Sequence, residues 1–181
     1  MLELFEDELV RQLRPEDACA CGQPVTHLRE ELLRMAQATE WDTVDAGYFE
    51  GHVYEIEWLH TPAVPVARIC LAALADDIAP PARDAFVDLL CTIVAATTTS
   101  IRVGGRRDLV DECEAIIRPG TWLFYAEILS GRHKRTAVLC FEILQELNED
   151  VERLRAVYRI AHRSLRTTSF WVEGLQRESL E

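Results

Sequence analysis

The residues best suited to chemistry lie in the first third of the chain. Cys19-Ala20-Cys21 and His27 put three soft donors into nine residues, enough for a zinc ion if a fourth ligand comes from elsewhere. Structural zinc usually draws on paired Cys-x-x-Cys groups, and no second pair exists, so the segment reads as a loop that carries two thiols. Glu57 and His60 have the Glu-x-x-His spacing that sets two ligands on one helix face, as di-iron carboxylate bundles require. Those bundles need the motif twice, and none of His27, His52, His133 and His162 has a glutamate three residues before it. The sequence is therefore read with no metal and no cofactor. A metal-dependent enzyme or metalloprotein using His52, Glu57, His60 and the Cys19/Cys21 pair stands as the alternative.

Nucleophile and phosphate-binding signatures are absent: there is no Gly-x-Ser-x-Gly, no Gly-x-x-x-x-Gly-Lys and no Gly-x-Gly-x-x-Gly. The chain is read as a non-enzyme. Arg102-Val103-Gly104-Gly105-Arg106-Arg107 could wrap an anionic group with backbone and guanidinium donors, but reads as a solvated connector. Arg155, Arg159, Arg163 and Arg166 share one helix face and make a basic stripe about 17 Å long. A nucleic-acid contact through that stripe is a second alternative, disfavoured by a net charge of −12. Residues 1–60 alone hold fourteen acids against four arginines, which suits a basic partner or simply keeps the protein soluble.

The aromatic and acidic stretch Trp41–Glu50 admits two readings. Trp41, Tyr48 and Phe49 could fold back over the first helices. Alternatively, with Asp42, Asp45, Glu50 and Glu55, they form the surface that grips that partner.

The elements that must position these groups are helical. Val66, Ile69, Cys70, Ala73 and Leu74, and then Phe86, Leu89, Leu90, Ile93 and Val94, follow the i, i+3, i+4, i+7, i+8 template of a core-facing helix. Looser matches run from Leu2 to Leu13, Leu28 to Ala36, Leu109 to Ile117, Trp122 to Leu129, Ala137 to Leu147 and Val151 to Leu165. Pro62, Pro65, Pro80-Pro81 and Pro119-Gly120 mark helix starts, and Gly131 marks a stop. The expected helices are about 10 to 16 residues long, with longer loops only near 20–24, 41–51 and 97–107. No segment alternates with period two for long enough to form a strand, so the fold is expected to be all-α with no sheet.

Cys70, Cys91, Cys113 and Cys140 fall on apolar faces and belong to the core. With 181 residues, an acidic amphipathic start and no run long enough to span a membrane, the chain is expected to be a single cytoplasmic domain with no membrane partner.

Pro81-Ala82-Arg83-Asp84-Ala85-Phe86-Val87 and His133-Lys134-Arg135-Thr136-Ala137-Val138-Leu139 each set an arginine two residues before alanine at the start of an apolar helix. With Gly51-His52-Val53-Tyr54, Pro62-Ala63-Val64-Pro65 and Leu89-Leu90, these residues resemble the HEAT and armadillo class of α-solenoids, and more particularly short HEAT-like proteins of actinobacteria. The resemblance spans residues 41–165, between N-terminal helices over 1–40 and a tail over 166–181. It implies a short right-handed α-α superhelix of about eight helices acting as a non-catalytic protein-interaction module. The sharpest form of that expectation is an immunity- or antitoxin-like protein that binds and blocks a basic partner.

Overall fold

The two strongest apolar repeats form the centre of the molecule. In the computed structural model, which describes residues 2–41, 46–56, 58–103, 106–147 and 150–165, Val66, Ile69, Cys70 and Ala73 are fully buried on one helix, and Phe86, Leu89, Leu90 and Ile93 on the next. The helices are α1 (Glu3–Gln12), α2 (Thr26–Ala36), α3 (Ala63–Ala75), α4 (Pro80–Val103), α5 (Arg107–Ile117), α6 (Thr121–Ser130), α7 (Lys134–Glu146) and α8 (Val151–Leu165). Among the described residues, none is long and apolar enough to cross a membrane.

Helix α3 packs on α1, α4 and α5; α4 also meets α2 and α7, and α6, α7 and α8 pack on one another. The result is one continuous core from Phe5 to Ala161. Phe5 of α1 meets Phe86 of α4 edge-on, with ring centroids 5.6 Å apart. The backbone N–H of Phe5 donates to Asp76 just beyond α3 at 2.9 Å, so a side chain distant in sequence caps the first turn of α1.

Two expectations are corrected. A sheet exists: β1 (Tyr54–Glu55) pairs antiparallel with β2 (Trp58–Leu59), Tyr54 opposite Leu59 and Glu55 opposite Trp58. Strands of two residues offer a single alternation, too short to register as a period: Leu59 is buried and Trp58 exposed. Helix α4 is also longer than expected and covers the first part of the loop assigned to 97–107. Within its helical backbone, threonine hydroxyls are satisfied by carbonyls one turn earlier: Thr92 donates to Asp88 at 3.0 Å, Thr97 to Val94 at 2.6 Å and Thr99 to Ala95 at 3.1 Å.

The two arginines of the internal echo do different work. Arg83 donates to the carbonyls of Leu74 at 2.9 Å and Asp76 at 2.8 Å, closing the C-terminal end of α3, and to Glu127 of α6 at 2.9 Å. Glu127 is buried and also accepts from Arg132 at 2.7 Å. Arg135 pairs with Asp84 and, at 2.8 Å, with Asp88, tying α7 to α4. The buried Asp84 further accepts from the Thr136 hydroxyl at 2.7 Å. Removing one partner of such a pair leaves the other buried and uncompensated. Arg83→Ala is therefore expected to lower the unfolding free energy by about 3 kcal/mol in urea denaturation. A loss below about 1 kcal/mol would show that this network adds little.

Candidate functional site

The segment between α1 and α2 folds back on itself although it is almost wholly exposed. Ala18 and Pro24 form an antiparallel bridge, the Cys19 N–H donates to the Gln23 carbonyl at 2.7 Å, and the Val25 N–H donates to Asp17 at 3.0 Å. At the tip, the Gly22 N–H returns to the Cys19 carbonyl at 2.9 Å, and Gly22 adopts φ +81°, a conformation that a side chain would strain. This turn presents both thiols to the same side. Cys19 is buried and Cys21 exposed.

His27 follows in the first turn of α2, with Nδ1 2.8 Å from the Pro24 carbonyl. A carbonyl can only accept, so Nδ1 carries the proton and Nε2 presents its lone pair to the thiols. His52 comes from a separate segment. The short 3-10 turn Ala46–Phe49 ends with Phe49 in the core, and the Phe49 carbonyl receives the N–H groups of His52 at 3.2 Å and Val53 at 2.9 Å. That turn swings His52 over the loop.

The four side chains converge. Cys19 Sγ lies 3.4 Å from His52 Nδ1, His27 Nε2 lies 3.4 Å from His52 Nδ1, and Cys21 Sγ lies 3.9 Å from His27 Nε2. All four donor atoms fall within 4.8 Å of one another, so Cys19, Cys21, His27 and His52 are the residues that could hold a metal. The Tyr48 ring stacks on His52, with centroids 5.4 Å apart, and approaches His27 edge-on at 6.4 Å. Burial pushes the Cys19 thiol up, and burial together with His27 and His60 pulls the His52 imidazole down, so both favour their neutral forms.

The other proposed ligands lie elsewhere. Glu57 is outside the described residues, and His60 follows strand β2 and precedes α3 instead of lying on a helix. His60 Nε2 faces Glu55 at 3.5 Å, without hydrogen-bond alignment. Metal-site candidacy thus rests on Cys19, Cys21 and His52, as the alternative had it, but with His27 in place of Glu57 and His60. His52 could be linked to His27 only by folding, since 25 residues separate them and no local spacing relates them.

The expected acidic and aromatic surface is divided. Trp41 stacks on His133 at the start of α7, with centroids 4.4 Å apart, whereas Tyr48 covers the Cys/His group. Phe49 is fully buried and is a core residue, not a contact residue. Asp42 and Asp45 lie outside the described residues. Glu50 and Glu55 are exposed and border an open groove of about 660 Å³, lined also by Gly47, Gly51, Ile56 and Trp58. Nothing in the sequence pattern marks Ile56 and Trp58 as exposed, because strands of two residues carry no period.

Of the basic stripe, Arg155 donates to Glu152 at 2.7 Å. Its neighbour Arg153 lies over the rings of Trp122 and Tyr125, 5.4 and 6.0 Å from their centroids. Arg159 and Arg163 are on α8, and Arg166 lies outside the described residues. Arg106 is paired with Asp108, while Gly104 and Gly105 lie outside the described residues. Comparison of the chain with protein-family models, curated proteins and solved structures finds no match.

Of the remaining cysteines, Cys91, expected in the core, is only partly buried and lies beside Glu142, and the other three are inert by position. Cys70, Cys113 and Cys140 are buried, and burial pushes the Cys113 thiol up to about 12. In native protein treated with a chelator, a maleimide is expected to modify Cys21 first and to leave Cys70, Cys113 and Cys140 unmodified until unfolding, as read by peptide mass spectrometry. Modification of Cys140 at the rate of Cys21 would contradict this packing.

Proposed function

We propose that the protein is a non-catalytic interaction module that docks a basic segment of a partner protein against the β1–β2 hairpin. One observation carries the reading: Ile56 and Trp58 are 81% and 42% exposed beside the exposed carboxylates Glu50 and Glu55, while Val53 and Leu59 of the same hairpin are buried. The buried residues fix the hairpin to the body, so its apolar groups are offered to solvent on a supported backbone. Apolar anchors flanked by charge of one sign suit a partner that carries an aliphatic or aromatic side chain between lysines or arginines. The acidity of residues 1–60 extends the same attraction to longer range.

A HEAT-like stack is the architecture proposed for this module. Helices two apart pack together, α1 on α3, α2 on α4, α3 on α5 and α6 on α8, which supports a stack of helix pairs. An immunity- or antitoxin-like role, in which the acidic face blocks a cationic partner, is the specific form of the proposal that charge favours.

Peptides with an apolar residue between basic ones are the direct probe. Fluorescence anisotropy is expected to show binding that weakens as salt is raised, and that Trp58→Ala or Glu55→Lys weakens about tenfold. Trp122→Ala, remote from the hairpin in sequence, leaves it unchanged. Equal binding by acidic and basic peptides, or indifference to both hairpin variants, would overturn the proposal.

A further inference from the structure

We infer that Cys19, Cys21, His27 and His52 form a closed zinc site that clips the α1–α2 loop and the segment after Phe49 to the start of α2. The inference is independent of what docks on the hairpin.

Geometry is the first support. At ordinary zinc bond lengths, about 2.3 Å to sulfur and about 2.0 Å to nitrogen, the ligand atoms of a tetrahedron stand about 3.3 to 3.8 Å apart. The nitrogen–nitrogen distance here is 3.4 Å, two of the four sulfur–nitrogen distances are 3.4 and 3.9 Å, and no pair exceeds 4.8 Å. Closing a 4.8 Å separation to tetrahedral spacing takes about 1 Å, which side-chain rotation supplies.

Orientation is the second. The Pro24 carbonyl holds the Nδ1–H of His27 at 2.8 Å, which fixes the tautomer and aims Nε2 into the group. A backbone carbonyl on the distal nitrogen is the usual outer partner of a zinc-bound histidine. The turn at Gly22 likewise brings two thiols separated by one residue to a single side.

The third support is the loop itself. From residue 14 to residue 24, Cys19 is the one buried side chain. Eleven residues with so little apolar burial do not hold a defined turn by packing, and a metal supplies the cross-link that a core cannot. His52 extends that cross-link to the segment leading into the hairpin.

The donor set selects the ion. Two thiolates and two imidazoles suit zinc; a Rieske iron–sulfur cluster takes the same donors but holds thiolates and imidazoles on separate irons, whereas all four atoms here lie within 4.8 Å of one another, and magnesium or calcium ask for oxygen ligands. Four protein ligands leave no open position for water or substrate, so the site is structural.

Untagged full-length protein, purified under reducing conditions without added metal, is expected to contain about one zinc per chain by mass spectrometry. Exchange to cobalt(II) gives the intense visible bands of a tetrahedral ion and a sulfur-to-cobalt charge-transfer band. Cys21→Ser weakens the charge-transfer band, His27→Asn lowers the zinc content below about a tenth of an equivalent, and His60→Gln changes neither. Because a variant could lose metal by misfolding, the wild-type protein is also stripped with a chelator and titrated with zinc. Stoichiometric recovery of the metal, with the far-ultraviolet helical signal retained throughout, supports the site. Failure of wild-type protein to take up zinc after stripping, a cobalt spectrum of octahedral type without charge transfer, or full retention of metal in Cys21→Ser/His27→Asn would overturn the inference.

Discussion

The structure depends on the burial of α3 and α4 against each other. Their facing side chains, from Val66 and Ile69 to Phe86, Leu90 and Ile93, are wholly removed from water, and removal of apolar area is the main favourable contribution available to a chain of this composition. Helices α1, α5 and α7 are positioned by the surfaces this pair leaves open. The polar groups that accompany the packing are satisfied by specific partners. Asp76 caps α1, Arg83 closes α3 and reaches Glu127, and Asp84 receives Arg135 and Thr136. Each of these ties one helix to another and restricts the stack to one register, because a slipped register would leave a buried charge unpaired.

The chain between α1 and α3 follows a different rule. Helix α2 contributes Leu28, Leu32, Met35 and Ala36 to the core, but the loop before it and the hairpin segment after it bury few side chains. These are also the segments that carry the chemistry: two thiols, two imidazoles, and an acidic ledge with exposed Ile56 and Trp58. Phe49, Val53 and Leu59 anchor the hairpin from below, and the Cys/His group fixes it from the side through His52. A site that orders its own surroundings and a ledge that presents apolar groups to solvent are thus mechanically connected, since Glu50 and His52 are separated by a single glycine.

Helices were legible in the sequence because a buried face repeats every three or four residues, and the repeats at 66–74 and 86–94 are nearly complete. The extension of α4 was hidden by a run of threonines that reads as a loop until their hydroxyls are seen to donate to the preceding turn. The hairpin was hidden by its brevity. His60, read from its spacing as a residue on a helix face, instead follows strand β2. Three of the four members of the Cys/His group were visible together as Cys19, Cys21 and His27; the fourth, His52, lies 25 residues from His27 and is supplied by a turn whose direction only tertiary packing sets. The proposed acidic and aromatic surface divided for the same reason, with Trp41 drawn to His133 and Tyr48 to His52.

The central claim, that four side chains from two distant segments form one closed metal site, concerns a coordination sphere and is tested most directly by X-ray absorption at the zinc edge on the purified full-length protein. The account predicts a four-coordinate zinc with two sulfur ligands at about 2.3 Å and two imidazole nitrogens at about 2.0 Å. A shell of oxygen and nitrogen alone, or a six-coordinate ion, would contradict it.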